Sequence, residues 1–495
     1  MSRQVYIETY GCQMNELDSE LVQGQLEALG YGFTAKADEA DVVLLNTCSV
    51  REHSEHKVWS YLGRLGQAKR EQGREVVVGV LGCMAEREAG NIFTRMPHVD
   101  LVCGPSMLDK LPSLLDNVVQ SKSRQSALTG HTARRSATLD AAMDGIEAMD
   151  LSRAFSPYAN DRESGIQKRQ AYVRITRGCN KFCSFCVVPY TRGPEVHRPA
   201  QHIIDEVKRL VDAGVLEVTL IGQTINHYHH EGTSFAQLLY RVHEEVPDLA
   251  RLRFLTSYPR DFTDEALDVM AACDRIAKYL HVPAQSGSDR MLKLMNRGYT
   301  VGEYMDLLDR ARARMPSVRL AGDMIVGFPT ETDEDHLMSL QLLERARYKS
   351  CYAFKYSPRP GTVSSRRYED DVPDEVKRAR NQSMLEVLTS TSIANNQSRV
   401  GQVLDVIVES ETRLRRESAP IDGVVVGWAK KESVRLIGRT DGDEIVAFDG
   451  PRSLLGSMTK VRALSATAVT ILGEHVGQRQ QKAHHGATPP QVEGP

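Results

Sequence analysis

Three near-continuous apolar runs recur about 35 residues apart in the first third of the chain: Val5-Tyr6-Ile7-Glu8-Thr9-Tyr10-Gly11, Val42-Val43-Leu44-Leu45-Asn46-Thr47 and Val76-Val77-Val78-Gly79-Val80-Leu81-Gly82. Runs of this kind, rich in β-branched residues, predict parallel strands buried on both faces, and the interval is that of one strand–helix–strand unit. Between them the apolar period changes. Leu17, Leu21, Val22, Leu26 and Leu29 share one helical face, with Asn15 as the expected N-cap and Gly30 as the stop. Val58, Leu62 and Leu65 mark a second helix. Residues 1–119 are therefore expected to form a three-layer parallel α/β domain.

Both periods fade over residues 120–164, where Ser, Thr, Arg and Ala dominate, so a linker with a short helix near Leu139 to Met149 is expected. Strands are predicted at 171–176, 215–221, 251–256, 276–282, 318–327 and 350–356. They alternate with helical stripes such as Ile203, Val207, Leu210 and Val211, or Leu337, Leu340 and Leu343. Six successive βα units over residues 165–397 predict a parallel sheet curling into a partial barrel, closed by a long helix after Asn381. Over 398–475 the texture changes to short strands at 403–408, 434–437, 444–448, 460–464 and 468–472, with turns at Asp441-Gly442 and Asp449-Gly450-Pro451. A small five-stranded β-barrel of the OB type is the matching architecture. Residues 476–495, rich in Gln, His and Pro, are expected to be disordered, and His484-His485 is too short a run to argue for a metal site.

A formal net charge of -3 excludes a globally basic nucleic-acid binder, so any RNA contact must be local. The barrel segment supplies such a concentration in Arg413, Arg415, Arg416, Lys430, Lys431, Arg435 and Arg439. No apolar run approaches the roughly 18 residues of a membrane span. The N-terminus, Met1-Ser2-Arg3-Gln4, leads straight into a strand. A cytoplasmic protein without membrane contact is expected, and a monomer. Nine cysteines, an odd number in a long chain, favour metal binding over disulfides.

Six of the nine are grouped. Cys12, Cys48 and Cys83 each follow one of the three N-terminal strands, and the carboxyl edge of an open parallel sheet is where ligands bind. Cys179, Cys183 and Cys186 are spaced C-x3-C-x2-C just after the alternating run 171–176. Thiolates suit iron–sulfur clusters or zinc. Structural zinc closes with four ligands, whereas no fourth Cys follows here, and His197 and His202 lack a knuckle's paired spacing. Three thiolates on a four-iron cluster leave one iron open. Cys103, Cys273 and Cys351 have no such placement and are assigned to packing. At the end of another strand, Gly222 lets the backbone approach a ligand and Gln223 offers both a donor and an acceptor.

The C-x3-C-x2-C loop resembles that of the radical S-adenosylmethionine (radical SAM) enzymes. That resemblance implies a cluster whose open iron holds S-adenosylmethionine and whose electron releases a 5′-deoxyadenosyl radical. It further implies that Gly222 and Gln223 belong to the motif holding the cofactor's amino group. The run Asp323 to Glu331 resembles the family's G-x-I-x-G-x-x-E element, which sets Ile325 and Gly327 against the adenine, with the usual first Gly displaced to Gly322. Gly438 to Gly456 resembles the TRAM domain of RNA-modifying enzymes.

In this order, a three-Cys α/β domain, a radical SAM core and a TRAM domain resemble the methylthiotransferase family. Glu8-Thr9-Tyr10-Gly11-Cys12-Gln13-Met14-Asn15, Asn46-Thr47-Cys48-Ser49-Val50-Arg51 and Phe182-Cys183-Ser184-Phe185-Cys186-Val187-Val188-Pro189-Tyr190-Thr191-Arg192-Gly193 look like its tRNA-acting branch. The resemblance implies conversion of N6-dimethylallyladenosine at position 37 of tRNA, in the anticodon loop, to its 2-methylthio derivative. Two [4Fe-4S] clusters, on Cys12/Cys48/Cys83 and Cys179/Cys183/Cys186, are implied, with one S-adenosylmethionine as methyl donor and one as radical source. Sulfur would be delivered at the N-terminal cluster, and an external electron donor is required. No catalytic side chain is assigned beyond the cluster ligands. Thr224 stands where the family usually has Asn, Tyr258 where His is common, and 413–431 is longer than the usual TRAM connection. Sister branches acting on a ribosomal aspartate or on threonylcarbamoyl adenosine, a non-catalytic iron–sulfur RNA binder, and a zinc protein are the competing readings.

Overall fold

The computed structural model describes residues 3–49, 52–71, 73, 75–129, 137–151, 153, 169–412 and 433–478. The chain divides into two compact units, residues 1–395 and 396–495.

The first unit opens with six parallel strands: β1 (Gln4–Tyr10), β2 (Gly32–Phe33), β3 (Val42–Thr47), β4 (Val77–Gly82), β5 (Leu101–Cys103) and β6 (Gln125–Ala127), in the order β2-β1-β3-β4-β5-β6. Every residue of β3 is buried, as its unbroken apolar run requires. One face is covered by α1 (Gln13–Ala28), α4 (Leu111–Ser121) and α5 (Ala137–Leu151), which contribute Leu17, Leu21, Leu115, Ile146 and Met149 to the core. The opposite face takes Val58 and Leu62 from α2 (Glu52–Glu71) and Met84 and Ile92 from α3 (Cys83–Arg95). Gly30 ends the first helical segment in a left-handed conformation, as expected. The helix begins earlier than predicted, however. Cys12 occupies the N-cap position, and Asn15 lies inside the first turn, fully buried. A second difference concerns 120–164: instead of a plain linker, this segment supplies β6 at the sheet edge and the core-bearing α5, which includes the short helix predicted near 139–149. Three residues of β-structure and a single short helix are too little to show above a Ser/Thr/Arg-rich background.

Six further parallel strands follow in chain order: Gln170–Arg174, Glu217–Ile221, Arg251–Phe254, Tyr279–His281, Arg319–Val326 and Ser350–Lys355. The first three pair side by side, as do the last three. A parallel bridge between Leu252 and Ile276 joins the two halves, so the run curves as one partial barrel. Its core includes Val173, Val218, Leu220, Phe254, Leu280, Met324 and Val326.

Buried ion pairs hold this barrel to the N-terminal sheet. Asp18 of α1 accepts from Arg174 Nη1 and Arg192 Nη2, both at 2.8 Å. Asp150 of α5 accepts from Arg174 Nη2 at 2.7 Å and from Arg177. Arg198 Nη1 reaches Glu206 at 2.8 Å and the Arg174 carbonyl at 2.6 Å. Burial opposes ionisation of Asp150, but Arg174, Arg198 and Arg177 more than offset it and hold the carboxyl below the usual range.

The second unit is a closed barrel of five strands, Val403–Glu411, Ser433–Arg439, Ile445–Pro451, Met458–Ala466 and Thr470–Gln478. Numbered one to five within the barrel, they close in the order 1-2-3-5-4, with the third and fifth parallel and the others antiparallel. Leu404, Val406, Leu436, Phe448, Val461 and Ile471 fill it. Gly438 is required because a Cβ there would strike the Ile407 carbonyl.

Replacing Asp150 with alanine leaves three buried arginines short of countercharge. Breaking one side of a buried pair costs about 3–5 kcal/mol, so the D150A midpoint in urea should fall well below that of the wild type. A change under about 1 kcal/mol would show that this network does not hold the first unit together.

Candidate active site

The parallel register brings the first three cysteines to one edge. Tyr10 pairs with Thr47 and Thr47 with Gly82, so the residues that follow, Cys12, Cys48 and Cys83, emerge at one level. Gly82 adopts φ +90 and a Cβ there would strike the Thr47 carbonyl, so the chain can turn directly into α3 only with glycine at this position. Cys12 and Cys83 sit at the amino ends of α1 and α3, where the helix dipole favours a thiolate. The Cys12 thiol is held down at about 6, chiefly by a hydrogen bond with Cys48, against burial, with help from the Arg192 charge. Burial pushes the Cys83 thiol up, while a hydrogen bond from Arg192 works the other way. Two asparagines lock the edge: Asn15 Nδ2 donates to Asn46 Oδ1 at 3.0 Å and to the Thr47 carbonyl at 3.1 Å, and Asn46 Nδ2 returns to the Asn15 carbonyl at 2.8 Å.

The second trio lies on one loop at the carboxyl edge of the partial barrel. Gly178, at φ +70, opens the loop where a Cβ would run into the Pro194 carbonyl. Ser184 anchors the middle, donating through N to the Met295 carbonyl at 2.9 Å and through Oγ to the Leu294 carbonyl at 2.8 Å. Asn296 Nδ2 donates to the Phe182 carbonyl at 2.9 Å. Arg297 Nη1 points at Cys183 Sγ, 3.3 Å away, and the guanidinium lies between the rings of Tyr258 and Tyr299, at 4.7 and 5.2 Å. Thr224 Oγ1 is 3.4 Å from Cys179 Sγ. Burial raises the Cys179 and Cys186 thiols, and the charge of Cys183 raises them further. Three partly buried thiols on one loop, beside an arginine, form a donor set suited to an iron–sulfur cluster.

Other sequence-derived positions ring the same edge. Gln223 keeps a buried Oε1 without a hydrogen-bond partner, as does Ser257 Oγ on the next strand end. Two unpaired buried acceptors at one strand edge are what a polar cofactor would satisfy. Gly222 has a packing role as well. The space a Cβ would take is filled by Thr176 Oγ1, so its missing side chain also serves packing between neighbouring segments. Ile325 N donates to the Gln285 carbonyl at 2.9 Å. Gly327, at φ +67, donates its N–H to Glu331 Oε2 at 2.7 Å, and Arg380 Nη1 pairs with the same oxygen at 2.8 Å. The glutamate of the G-x-I-x-G-x-x-E element thus fixes the loop from within.

The two trios belong to one unit, and the segment that follows the second reaches the first through Arg192. It follows the second trio in sequence, yet its charge lies near Cys83 and Cys12, while Asp18 holds its far side. Burial pulls the Arg192 pKa down, but Cys83, Asp18 and Cys12 outweigh it. The remaining cysteines pack: Cys103 and Cys273 are buried in cores, and Cys351 packs against the partial barrel's core.

A family model described as the radical SAM superfamily matches residues 173–343, and one described as Uncharacterized protein family UPF0004 matches residues 4–104. The tRNA-2-methylthio-N(6)-dimethylallyladenosine synthase of Rhodopirellula baltica is 40% identical over 96% of this chain and 95% of its own length. The synthase of the same name from Syntrophotalea carbinolica is 37% identical over 95% and 99%. The chain belongs to the tRNA-2-methylthio-N(6)-dimethylallyladenosine synthase family. Among solved structures, the radical S-adenosylmethionine methyltransferase TsrM from Kitasatospora setae superposes with a TM-score of 0.51 at 15% identity, over 74% of this chain and 77% of that one. This is a likeness of fold.

Within this chain, the two departures from family wording have structural partners. Thr224 contacts Cys179, and Tyr258 forms one wall of the Arg297 sandwich while its backbone is held by Asn226 at 2.7 and 2.9 Å. Of the expected RNA-binding residues, Arg413, Arg415, Arg416, Lys430 and Lys431 lie outside the described residues. Arg439 is described, and its charge is met by Asp443 at 2.9 Å and Glu409 at 3.4 Å. It braces the barrel's turn, a use that its place in a basic stretch did not indicate. Asp18, Arg174, Arg192 and Arg297 were not singled out from the sequence, because their partners are distant in the chain and no local spacing announces them.

A G178A variant must displace the Pro194 carbonyl and reshape the second cysteine loop. In a C12A/C48A/C83A background, iron bound per chain after anaerobic reconstitution should fall below half of that for the same triple variant with Gly178 intact. Equal iron would mean that the loop's backbone turn is not needed to gather the thiols.

Proposed function

We propose that this chain converts N6-dimethylallyladenosine at position 37 of tRNA to its 2-methylthio derivative. The observation that carries the reading is the presence of two three-thiol sites in one unit, the strand before the second and the segment after it being tied by Arg174 and Arg192 to Asp18 in the helix that Cys12 begins. An iron–sulfur cluster and S-adenosylmethionine fit the Cys179/Cys183/Cys186 loop, and a second cluster fits Cys12/Cys48/Cys83. When bound, these groups would supply radical chemistry at the Cys179/Cys183/Cys186 loop and hold sulfur at Cys12/Cys48/Cys83.

The chain's own residues prepare the two places. Cys12 and Cys48 share a hydrogen bond that favours the thiolate, and Arg192 supplies a fixed positive charge beside Cys83. Arg297 gives the Cys183 thiolate a buried, non-titrating partner and excludes water from that side of the loop. Gln223 Oε1 and Ser257 Oγ offer acceptors to a cofactor's polar groups, and the Ile325 to Gly327 backbone, stapled by Glu331, gives a firm surface for a flat ring. A closed five-stranded barrel with the OB strand order suits phosphate-based positioning of tRNA. Reaching the C2 atom of the base requires it to leave the anticodon stack. An external one-electron donor completes the requirements. No helix among the described residues is long and apolar enough to cross a membrane, in keeping with a tRNA substrate in the cytoplasm.

Expressed in a strain lacking its own synthase, the wild-type chain should restore the 2-methylthio nucleoside in digested tRNA, read by mass spectrometry. The C12A/C48A/C83A variant should restore none, yet still form 5′-deoxyadenosine from S-adenosylmethionine when reduced in vitro. C179A should lose both products. Methylthiolation by the triple variant at the wild-type level would overturn the proposal.

A further inference from the structure

Three potential metal ligands outside both cysteine trios meet where the second cysteine loop returns to the barrel. Glu195, His197 and His227 each present a ligand atom, and these atoms all lie within 4.8 Å of one another. Glu195 and His197 follow the cysteine loop directly. His227 comes from a different segment, the turn after Gln223, and only the tertiary structure brings it in.

The glutamate is the centre of the arrangement. Its side chain is 1% exposed, and Oε2 faces His227 Nδ1 at 2.8 Å. Oε1 is buried with no hydrogen-bond partner. A buried carboxylate with an unused oxygen, beside imidazoles, is an anionic site awaiting a cation. The His229 backbone N–H donates to His197 Nδ1 at 3.3 Å, so that nitrogen carries a lone pair, which a metal ion bound there would take over from the backbone contact.

The frame around these groups is firm. His197 sits on a two-residue antiparallel ribbon, paired with Thr176. Tyr228 packs edge-on against its ring at 5.8 Å and is itself tied by its hydroxyl to the Arg198 carbonyl at 2.8 Å. Glu195 N donates to Asn180 Oδ1 at 3.2 Å, so the cluster of ligands backs directly onto the loop that begins at Cys179.

We propose that Glu195, His197 and His227 bind a divalent transition-metal ion of the zinc class, separate from the iron–sulfur positions. Two imidazoles and one carboxylate suit zinc and its neighbours in the first transition row, whereas magnesium and calcium prefer oxygen ligands alone. Three protein ligands leave a fourth tetrahedral position for water, open on the side where His227 is exposed. Occupied, the site ties the return of the second cysteine loop to the turn that carries Gln223 and Thr224, two segments that otherwise meet around Cys179 through weak polar contacts.

The test uses the full-length, tag-free protein with its iron–sulfur content reconstituted anaerobically, so that the cysteines are engaged. An H484A/H485A background removes the imidazoles of the tail. Equilibrium dialysis against micromolar Zn2+, followed by elemental analysis, should give one zinc per chain. H197A and H227A should each weaken zinc binding at least tenfold, and the H197A/H227A double variant should retain none. Because His227 is half exposed, H227A should keep the wild-type iron and sulfide content, which separates loss of the zinc site from loss of the fold. E195Q, which keeps the side chain's shape, should also lose the metal. Zinc bound equally by the parent and the double variant, or no zinc bound by the parent, would overturn the proposal.

Discussion

A single buried carboxylate sets the relation between the two thiol sites. Both oxygens of Asp18 are used, one by Arg174 and the other by Arg192, in a place with no exposure to solvent. Leaving any of the three charges unpaired there costs several kcal/mol, so the pairs form together or not at all. Asp18 lies in the helix that Cys12 begins, Arg174 ends the strand before Cys179, and Arg192 follows Cys186. One carboxylate therefore registers the first cysteine edge against the second cysteine loop. Asp150 extends the same logic to Arg177 and Arg198, and so recruits α5 as part of the joint.

Parallel strands do the gathering on each side of that joint. Their hydrogen-bond register brings successive strand ends to one level, so residues far apart in sequence share an edge. The N-terminal sheet uses this to collect one thiol from each of three strand ends. The partial barrel uses it differently. All three thiols come from one loop, and the neighbouring strand ends contribute Gln223, Ser257 and the Gly327 turn around it. Helix amino ends at Cys12 and Cys83 add a further bias toward thiolate, whereas the second loop relies on Arg297.

Glycine positions show how a residue type is legible while its purpose is not. Gly178 and Gly82 adopt left-handed backbone angles with a neighbouring carbonyl where a Cβ would sit, so no other residue fits. Gly222 needs no unusual angle. It yields its side-chain volume to Thr176, a neighbour on the adjacent chain segment. The same letter at the same kind of strand end thus answers to backbone geometry in one case and to packing in the other.

By itself the sequence determined the parallel strands, the six βα units, the five-stranded barrel and both cysteine trios. These rest on local period and spacing, and the backbone expresses those directly. Each strand predicted from 171 onward overlaps an observed one, while the two-residue strands at Val196–His197, His229–His230 and Thr233–Ser234 went unpredicted, and the cysteine spacing alone placed three thiols on one loop. The tertiary structure decided the rest. It made Cys12, not Asn15, the helix cap, drew β6 and α5 out of an apparent linker, tied Arg439 to carboxylates, and set Arg192 beside Cys12 and Cys83. Each of these depends on a partner many residues away. Pairing of charges and filling of space are satisfied by whatever the fold brings within a few ångströms, and no local period in the chain records that distance.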